Sequence, residues 1–318
     1  MVLVYSDDKK LTLELLNKGR EISDGLGKKL TAAIIGKSDE SAAKDFIAHG
    51  ADNVHIAETN LDSFKAEEYT DILKKIISET GTETVLIGSN KNGKELASRL
   101  AGELDTGCVI DCMNLYLNNK KLTVERVVYS GNAIAVEQFN SKPEIATIPP
   151  KVFDPLEKDS KRTGEITKKK YEAGKHNSKI LNVQKMQTGG VNVEDAEIIV
   201  SCGRGVKNKE DIKMVEELAD VIKGRTVGCS RPIAADLKWL SEEHWIGLSG
   251  HKVKPKLYIA AGISGQIQHI AGMRDSGVIV AINKDPEALI FKSADYGIVG
   301  DIYEVLPKLT NAIKEKIG

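Results

Sequence analysis

Short β-rich runs alternate with amphipathic helical runs in this chain of 318 residues, and the alternation occurs in two separate stretches. In the first stretch, apolar residues recur at helical spacing over Leu11–Gly25, and the β-rich run Leu30–Gly36 follows. The second stretch starts near Glu194 and ends with the helical run Ile302–Ile317. Because repeated β–α steps favour parallel strands with helices on both faces of the sheet, the pattern predicts an α/β protein with two doubly wound domains.

Four β-rich runs with no helical run between them follow the first stretch. They are Val109–Leu117, Lys121–Tyr129, Ala133–Phe139 and Glu144–Ile148. Consecutive strands without a crossover helix pair as antiparallel neighbours. We therefore expect antiparallel strands added to the parallel sheet of the first domain.

A polar segment separates the two α/β stretches. It includes Lys168-Lys169-Lys170, which is typical of a solvated loop or edge strand, with a docking patch for an acidic partner as the alternative. Asn182–Met186 is a candidate last strand, and Gln187–Gly190 has the composition of a linker. We expect an N-terminal domain over residues 1–186 and a C-terminal domain over residues 187–318.

The β-rich runs of the C-terminal domain all end in small or polar residues. The five endings are Cys202-Gly203-Arg204-Gly205, Cys229-Ser230-Arg231, Ala261-Gly262-Ile263-Ser264-Gly265, Asn283-Lys284-Asp285 and Gly300-Asp301. In an open parallel sheet, ligands bind in the crevice outside the carboxyl ends of the strands. Five such endings, two of them with arginine, therefore predict a site for a sizeable anionic ligand.

The third of these endings favours a dinucleotide. Gly262–Gly265 leads directly into the helical run Gln266–Gly272, so small residues and a helix N-terminus would face a phosphate. A tight turn with nothing bound is the alternative. The G-x-G-x-x-G fingerprint is absent, which disfavours NAD binding in the common Rossmann manner.

Several single residues in these endings also have structural alternatives. Arg204 and Arg231 would bind an anionic ligand or form structural ion pairs. Asn283 and Asp301 would contact the ligand or act as turn-forming and helix-capping residues. His269, one turn into the helix, would lie beside the ligand or simply be packed.

Composition excludes several classes of protein. Lys plus Arg number 45 and Asp plus Glu number 46, so the net charge of −1 offers no electrostatic basis for binding nucleic acid. We expect no membrane insertion, because no apolar run approaches the length of a span, and no export signal, because charges occupy Met1–Lys10. The four cysteines form no C-x-x-C pair, which favours reduced thiols in a cytoplasmic protein over disulfides or a zinc site.

The strand endings belong to longer motifs that resemble those of electron-transfer flavoprotein α subunits. These motifs are CGRG at Cys202–Gly205, GCSR at Gly228–Arg231 followed by Asp236, LYIAAGISGQIQH at Leu257–His269, AINKDPE at Ala281–Glu287 and ADYGIVG at Ala294–Gly300. Val85–Gly88 and Leu96–Asp105 carry a looser resemblance in the N-terminal half. The resemblance covers the whole chain, with most of its weight in the C-terminal domain.

This resemblance implies an electron carrier rather than an enzyme. The chain would be the α subunit of a heterodimer, with FAD in a Rossmann-like C-terminal domain and a smaller share of the site from the electron-transfer flavoprotein β subunit. The N-terminal domain, with a nucleotide-hydrolase-like sheet, would pair with that subunit. Electrons would come from flavin dehydrogenases, such as the acyl-CoA dehydrogenases of fatty acid β-oxidation, and leave to a quinone- or ferredoxin-linked acceptor.

The resemblance also implies contacts around the flavin ring. Arg204 and Ser230 match FAD contacts, Arg231 matches the arginine beside the isoalloxazine, and Ser249 matches a hydroxyl near N5. The family usually has G-Q-[ST]-G-K here, whereas this chain has Gly247-Leu248-Ser249-Gly250-His251. An apolar side chain thus replaces an amide and histidine replaces a long cation, which affects the tuning of the flavin more than its presence.

The remaining matches lie in the last three strand endings and the helix that follows the first of these. Ser264, Gly265 and Gln268 match the pyrophosphate turn. His269 matches the histidine on the N1 and O2 side of the ring. Asn283 and Asp301 match positions at the adenosine end.

Other classes stay open on the sequence alone. The chain could belong to an NADH-dependent electron-bifurcating complex, to an oxidoreductase as its FAD- or nucleotide-binding domain, or to a nucleotide-binding regulatory module. The sequence offers no obvious general-base pair or metal site in support of an enzyme. Co-expression with a β partner distinguishes two of these classes. Protein that contains bound FAD would be the flavoprotein, whereas protein that binds only ATP would be a regulatory module.

Overall fold

The computed structural model of the chain describes residues 1–61, 63–129, 133–172, 174, 176, 178, 180–183, 192–222 and 226–317. The chain divides into two compact units, Met1–Asn182 and Val183–Gly318. Both units are α/β, as the sequence predicts. Across the described ranges, no helix is long and apolar enough to cross a membrane.

The first unit is built on a parallel sheet. Its strands are β1 (Val2–Tyr5), β2 (Leu30–Gly36), β3 (Asn53–Glu58), β4 (Thr84–Gly88), β5 (Cys108–Val109), β9 (Glu144–Ile148) and β10 (Glu165–Lys170). Its helices are α1 (Lys9–Leu26), α2 (Glu40–Ala48), α3 (Ala66–Thr80) and α4 (Lys91–Glu103). The strand order is β10-β3-β2-β1-β4-β9-β5, and every pairing in this sheet is parallel.

Helices cover both faces of this sheet. Successive side chains of a strand point to opposite faces, so a continuous apolar strand suits a sheet that is buried on both sides. Val4 accordingly packs in a core with Leu15 of α1, whereas its neighbour Leu3 packs in the opposite core with Ile72 of α3. The continuous apolar runs of the sequence are therefore explained by a doubly covered sheet.

Short polar side chains and glycine set the ends of these helices. Asp8 accepts a hydrogen bond from the Lys10 backbone N–H at 2.8 Å, and Asp39 accepts one from Ala42 at the same distance. Gly27 ends α1 with φ of 65°, a conformation that glycine adopts without steric cost. The helix boundaries follow from these local signals.

The antiparallel strands form a sheet of their own, which corrects the expectation that they extend the parallel sheet. The three strands β6 (Cys112–Asn118), β7 (Lys121–Val128) and β8 (Ala133–Gln138) pair in this order. The fourth predicted run, β9, instead pairs in parallel with β4 and β5. The predicted run Val109–Leu117 is split at Asp111, whose φ of 58° interrupts the extended backbone. This break separates β5 from β6 and lets them join different sheets.

The polar segment supplies the edge of the parallel sheet. The lysine run lies on β10, where Lys168 forms an ion pair with Glu40 and Lys169 forms one with Glu79. The run is therefore a solvated edge strand, as predicted. Asn182 and Val183 lie outside any strand, and the rest of the candidate strand and the linker Gln187–Gly190 lie outside the described residues.

The second unit is a five-stranded parallel sheet with helices. Its strands are β11 (Ile198–Cys202), β12 (Thr226–Cys229), β13 (Leu257–Ala261), β14 (Val278–Asn283) and β15 (Tyr296–Val299), and its helices are α5 (Lys213–Val221), α6 (Ile267–Met273) and α7 (Ile302–Ile317). The strand order is β12-β11-β13-β14-β15, and every pairing is parallel. The predicted helix Lys209–Ile222 divides into a 3₁₀ turn, Lys209–Ile212, and α5. Because all five strands run the same way, their carboxyl ends share one edge.

All four cysteines are free thiols. Burial raises the pKa of Cys108 to about 11 and those of Cys112 and Cys202 to about 12, and it also raises the pKa of Cys229. A thiol needs its thiolate form to react or to bind metal, so these cysteines act as small packing residues at neutral pH.

Glu14 of α1 is a partly buried carboxyl group. Its Oε2 accepts a hydrogen bond from the Lys151 backbone N–H at 2.6 Å. Burial raises the pKa of Glu14 to about 7, although this hydrogen bond acts in the opposite direction. Because the folded pKa lies above the ordinary value of about 4.3, the folded state binds the proton more tightly than the unfolded chain. The stability from this proton is present at low pH and is lost as the pH rises through about 7.

We predict that Glu14→Gln stabilises the first unit at alkaline pH. Glutamine keeps an acceptor for Lys151 and removes the buried charge. With allowance for solvent screening, the free energy of unfolding should rise by about 1 kcal/mol near pH 8, and the gain should shrink toward zero below about pH 5. Urea denaturation at both pH values measures this difference. Glu157→Gln, at an exposed carboxylate, is the control, and an equal gain at both pH values would contradict the prediction.

Candidate functional site

The carboxyl ends of the five strands in the second unit open onto one cavity of about 730 Å³. Arg204 follows β11, Ser230 follows β12, Gly262 follows β13, Asn283 ends β14, and Asp301 follows β15; all five line the cavity. A volume of this size is typical of a pocket for a small molecule or cofactor. The sheet edge predicted to bind a ligand therefore does enclose a suitable space.

Most of the predicted site residues lie in the wall of this cavity. They are Arg204, Ser230, Arg231, Gly247, Leu248, Ser249, Ser264, Gln268, His269, Asn283 and Asp301. Gly265 is not among the lining residues, and it belongs instead to the turn that supports Ser264. The fold thus gathers residues that are up to about 100 positions apart in the sequence.

The cavity wall carries an excess of positive charge. Arg204, Lys207, Arg231 and Lys284 line it, with Asp301 as a carboxylate among them. Both arginines are exposed, and neither side chain forms an ion pair or hydrogen bond with any residue that the structure describes. The structural ion pairs considered above are therefore not formed within the described ranges. A concave wall with an excess of cations attracts an anionic ligand.

The turn after β13 holds its shape through a close backbone approach. Gly265 has φ of 78°, and a Cβ atom there would lie 2.2 Å from the backbone nitrogen of Ile290. The Ile290 N–H donates to the Ser264 carbonyl at 3.1 Å, which fixes the turn from the other side. The turn leads into α6, whose N-cap residue Gln266 makes no side-chain capping bond. Ser264 and Gln266 line the cavity beside the first turn of this helix.

His269 is a buried polar side chain of the cavity wall. Its Nε2 lies 3.0 Å from the Tyr258 hydroxyl, and its Nδ1 is buried without a hydrogen-bond partner of ordinary geometry in the described part of the chain. Burial lowers the pKa of His269 to about 4, and the backbone of Ile246 opposes this shift. The imidazole is therefore neutral at pH 7. It offers an N–H donor, so the cation beside a ligand would come from an arginine.

The loop with the unusual leucine forms part of the same wall. The Leu248 N–H donates to the Gln268 carbonyl at 2.7 Å, which ties the loop to α6. The Leu248 side chain is 51% exposed, and Ser249 beside it is exposed as well. His251, in contrast, is not a lining residue, because its Nδ1 lies 2.8 Å from Glu194. Of the two departures from the family motif, only Leu248 faces the cavity.

Asn283 and Asp301 combine both roles that the sequence suggests for them. Asn283 donates to the Ile263 carbonyl at 2.8 Å and accepts from the Asp285 N–H at 3.0 Å. Asp301 accepts from the Tyr303 N–H at 3.0 Å at the start of α7. These bonds stabilise a turn and a helix end, and the same residues line the cavity.

Several lining residues were missed by the sequence analysis. Lys207 and Lys284 lie in or near the strand endings, so their charge was a usable signal. Trp245 gave no such signal, because it reaches the cavity through a bridge with Cys229 that extends the edge of the sheet beyond β12. The segment between Arg231 and Trp245 contains only short irregular turns, which leave no periodic pattern.

Comparison with known proteins identifies the family. The chain matches the Electron transfer flavoprotein domain over residues 2–173 and the Electron transfer flavoprotein FAD-binding domain over residues 192–274. It is 41% identical to the Electron transfer flavoprotein subunit alpha of Bacillus subtilis over 310 residues, or 96% of this chain and 94% of that protein. It is 39% identical to the protein of the same name from Thermoanaerobacterium thermosaccharolyticum over 312 residues, or 96% and 93%.

A third relative is named for a different role. The Lactate dehydrogenase (NAD(+),ferredoxin) subunit LctC of Acetobacterium woodii is 37% identical over 309 residues, which cover 96% of this chain and 73% of that subunit.

The cavity suits the cofactor of the matched domain. Two arginines without ion-pair partners among the described residues can meet a pyrophosphate, and His269 lies in the same cavity wall. Ser264 and Gln266, in the turn before α6, line the same cavity. With both halves of the sequence matched, the chain belongs to the electron-transfer flavoprotein α-subunit family, and its second unit contains the match to the FAD-binding domain of that family.

Proposed function

We propose that the cavity of the second unit holds FAD and that the subunit carries electrons between partner proteins. The observation that carries this proposal is the pair Arg204 and Arg231, which lack ion-pair partners among the described residues and line a cavity formed by all five strand ends. When bound, FAD supplies the one- and two-electron redox chemistry, and the protein tunes its electronics. The residues that would hold it are Arg204, Ser230, Arg231, Gly247, Leu248, Ser249, Ser264, Gly265, Gln268, His269, Asn283 and Asp301.

The proposed roles differ around the cavity. The turn at Ser264 and Gly265 would bind the pyrophosphate, since Ser264 lines the cavity and Gly265 fixes the turn against Ile290. His269 would donate an N–H on the N1 and O2 side of the isoalloxazine, where negative charge develops on reduction. Arg231 would add positive charge beside the ring, and Ser249 would provide a hydroxyl near N5. Together these groups stabilise negative charge on the ring and raise its reduction potential.

We propose that the chain works as half of an αβ heterodimer. Residues 1–186 would pair with the electron-transfer flavoprotein β subunit, and residues 187–318 would hold the cofactor with a smaller contribution from that subunit. The division into compact units at Asn182 and Val183 supports this arrangement. Four free cysteines favour the cytoplasm, where thiols stay reduced.

We further propose that flavin dehydrogenases, such as acyl-CoA dehydrogenases, donate the electrons and that a quinone- or ferredoxin-linked protein accepts them. A second candidate is a role in an NADH-dependent electron-bifurcating complex. The similarity to a subunit whose name includes NAD(+) and ferredoxin favours this candidate. NADH oxidation by the αβ complex that depends on both ferredoxin and a second acceptor would distinguish it from simple electron carriage.

We predict that the αβ complex contains FAD in the α subunit. After co-expression with its β partner and reconstitution with FAD, the complex should bind about one equivalent in this cavity. The double variant Arg204→Ala with Arg231→Ala should lose most of this FAD, because it removes both arginines from the wall. Absorbance of flavin released on denaturation measures the content. A wild-type complex with less than half an equivalent, or full retention in the double variant, would contradict the proposal.

We predict that Arg231→Ala lowers the first reduction potential of bound FAD by roughly 60–130 mV. A charge-assisted hydrogen bond contributes about 1.5–3 kcal/mol, and 59 mV corresponds to a tenfold change for one electron. Spectroelectrochemical titration measures the potential. Arg274→Ala is the matched control, because Arg274 is exposed in the same unit and does not line the cavity. An unchanged potential with FAD bound would leave Arg231 a structural role.

We predict unequal effects of two changes in the loop at the cavity. Leu248→Gln should retain FAD and shift its potential modestly, because one neutral hydrogen bond contributes about 0.5–1.5 kcal/mol. Ser249→Ala should be more damaging, because Leu248 leaves Ser249 to supply the local side-chain hydrogen bond. FAD affinity and potential are compared for both variants. If Leu248→Gln expels FAD, or Ser249→Ala changes neither quantity, this loop does not contact the flavin as proposed.

A further inference from the structure

Lys207, in the loop after β11, is a cation of the cavity wall that contacts a tyrosine outside the wall. Its backbone N–H donates to the Tyr303 hydroxyl at 2.8 Å, and its Nζ lies 4.8 Å from the centroid of the Tyr303 ring. Lys207 lines the cavity, whereas Tyr303 does not. A cation over an aromatic ring is attracted by the negative face of the ring. One tyrosine therefore holds both the backbone and the charged end of this lysine.

A carboxylate fixes the Tyr303 hydroxyl from the other side. The hydroxyl donates to Oδ2 of Asp211 at 2.6 Å, and the same carboxylate oxygen accepts from the Asn208 N–H at 3.1 Å. Because the tyrosine proton goes to the carboxylate, the lone pairs of the tyrosine oxygen are free to accept from the Lys207 N–H. A hydrogen bond to an ionised carboxylate is stronger than one between neutral groups. The Tyr303 oxygen thus joins the Lys207 loop, the 3₁₀ turn and the start of α7.

The loop that carries Lys207 is also fixed at its beginning, by a close backbone approach. The Gly205 N–H donates to the Gly262 carbonyl at 3.0 Å, and a Cβ atom at Gly205 would lie 2.6 Å from the Cα of Gly262. This contact fixes the loop against the turn after β13, whereas Tyr303 fixes it against α7. Arg204 and Lys207 lie beside these two contacts, and both line the cavity. The backbone that presents the two cations is therefore set before a ligand binds.

The ammonium group of Lys207 is exposed and has no ion-pair partner in the part of the chain that the structure describes. Asp211 is engaged by Tyr303 and by the Asn208 side chain, which donates to it at 3.0 Å. An exposed lysine loses rotamer freedom when it is held in one place, and the contact with the ring offsets part of that loss. A cation held at a concave wall attracts an anionic group of a ligand.

The place of Lys207 in the domain favours one part of the proposed cofactor. Its anchor Tyr303 lies in the first turn of α7 and donates its backbone N–H to Asp301 at 3.0 Å. Asp301 and Ile302 line the cavity at this point, and Asp301 is a proposed contact at the adenosine end. The pyrophosphate joins the adenosine to the flavin half and carries the formal negative charges of FAD. It is therefore the group of FAD that a lysine at this position would meet.

We propose that Lys207 binds the pyrophosphate of FAD from the adenosine side and that Tyr303 is the positioning residue that holds Lys207 at the cavity wall. This inference rests on the proposed binding of FAD and adds to it one binding residue and the residue that supports it. Tyr303 acts only through Lys207. The contact increases the affinity for FAD and leaves its reduction potential unchanged, because the pyrophosphate gains no charge when the isoalloxazine is reduced.

Lys207→Met tests the charge, because methionine keeps a long side chain without the ammonium group. The αβ complex is freed of flavin and titrated with FAD, whose fluorescence measures the Kd. We expect the Kd to rise about 5-fold at about 10 mM salt, and the rise should vanish near 1 M salt, where the Debye length is about 3 Å. Lys209→Met, at an exposed lysine outside the cavity wall, is the control. An equal rise at both salt concentrations, or none at low salt, would overturn the inference.

Two changes at Tyr303 test the positioning role. Tyr303→Phe removes the hydroxyl and keeps the ring, and the Kd for FAD at low salt should rise roughly 2-fold. Tyr303→Leu removes the ring as well, and the Kd should approach that of Lys207→Met. In the Lys207→Met background, neither change should raise the Kd further, because the residue through which Tyr303 acts is gone. A similar rise in both backgrounds, or none in either, would overturn the positioning role. Tyr296→Phe, at an exposed tyrosine of the same unit, is the control.

The reduction potential and the subunit content separate this contact from other roles of Lys207. The potential of FAD in Lys207→Met should equal that of the wild-type complex. A decrease like the one predicted for Arg231→Ala would place Lys207 beside the ring, and loss of the β subunit on size-exclusion chromatography would place it at the subunit interface. Either result would overturn the inference. A wild-type complex that binds no FAD would refute the proposed function, whereas FAD binding that is unchanged in Lys207→Met would refute only the role of Lys207.

Discussion

The parallel register of β11 with its two neighbours is the constraint on which the FAD-binding domain depends. Cys202 at the end of β11 is paired with Cys229 of β12 on one side and with Ala261 of β13 on the other. The loops that follow these residues therefore start at the same level of the sheet. Arg204, Ser230 and Gly262 reach one cavity for this reason, although they come from three separate segments. A slip of one residue would turn each loop's side chains to the opposite face.

The two units use the same sheet edge in different ways. In the first unit, polar groups at the carboxyl ends of the strands bond to one another: the Ser89 hydroxyl lies 2.8 Å from that of Thr147 and 2.7 Å from Asp111, which also binds Lys94. In the second unit, Arg204 and Arg231 make no such bonds to described residues. An edge that satisfies its own polar groups gains stability, whereas one that leaves charges unpaired keeps affinity for a ligand.

The polar groups buried behind the cavity also lower the stability of the domain in favour of its function. Tyr258, Ser201 and His269 occupy positions where apolar side chains would pack without needing hydrogen bonds. The Tyr258 hydroxyl lies 3.0 Å from Nε2 of His269, so these two buried polar groups satisfy each other. This contact fixes the orientation of the imidazole before any ligand binds.

Sequence periodicity determined the α/β class, most strand and helix positions, and the five polar strand endings. These features are local, because a strand or a helix reflects the spacing of apolar residues within one segment. The sequence also placed the lining residues that follow the strands, since parallel strands must end on one edge. The motif resemblance then pointed to the loop at Leu248, which no local pattern marks, and suggested a specific role for His269.

Only the tertiary structure decided which strands pair and which side chains form hydrogen bonds or ion pairs. The split at Asp111 and the parallel placement of β9 depend on pairing between distant strands, as does the bridge that brings Trp245 to the cavity. The neutrality of His269 and its contact with Tyr258 depend on burial, which a linear pattern does not encode. The sequence by itself determined where a ligand edge would form. Packing of distant segments decided its charge, its donors and its volume, because these are properties of atoms brought together only by the fold.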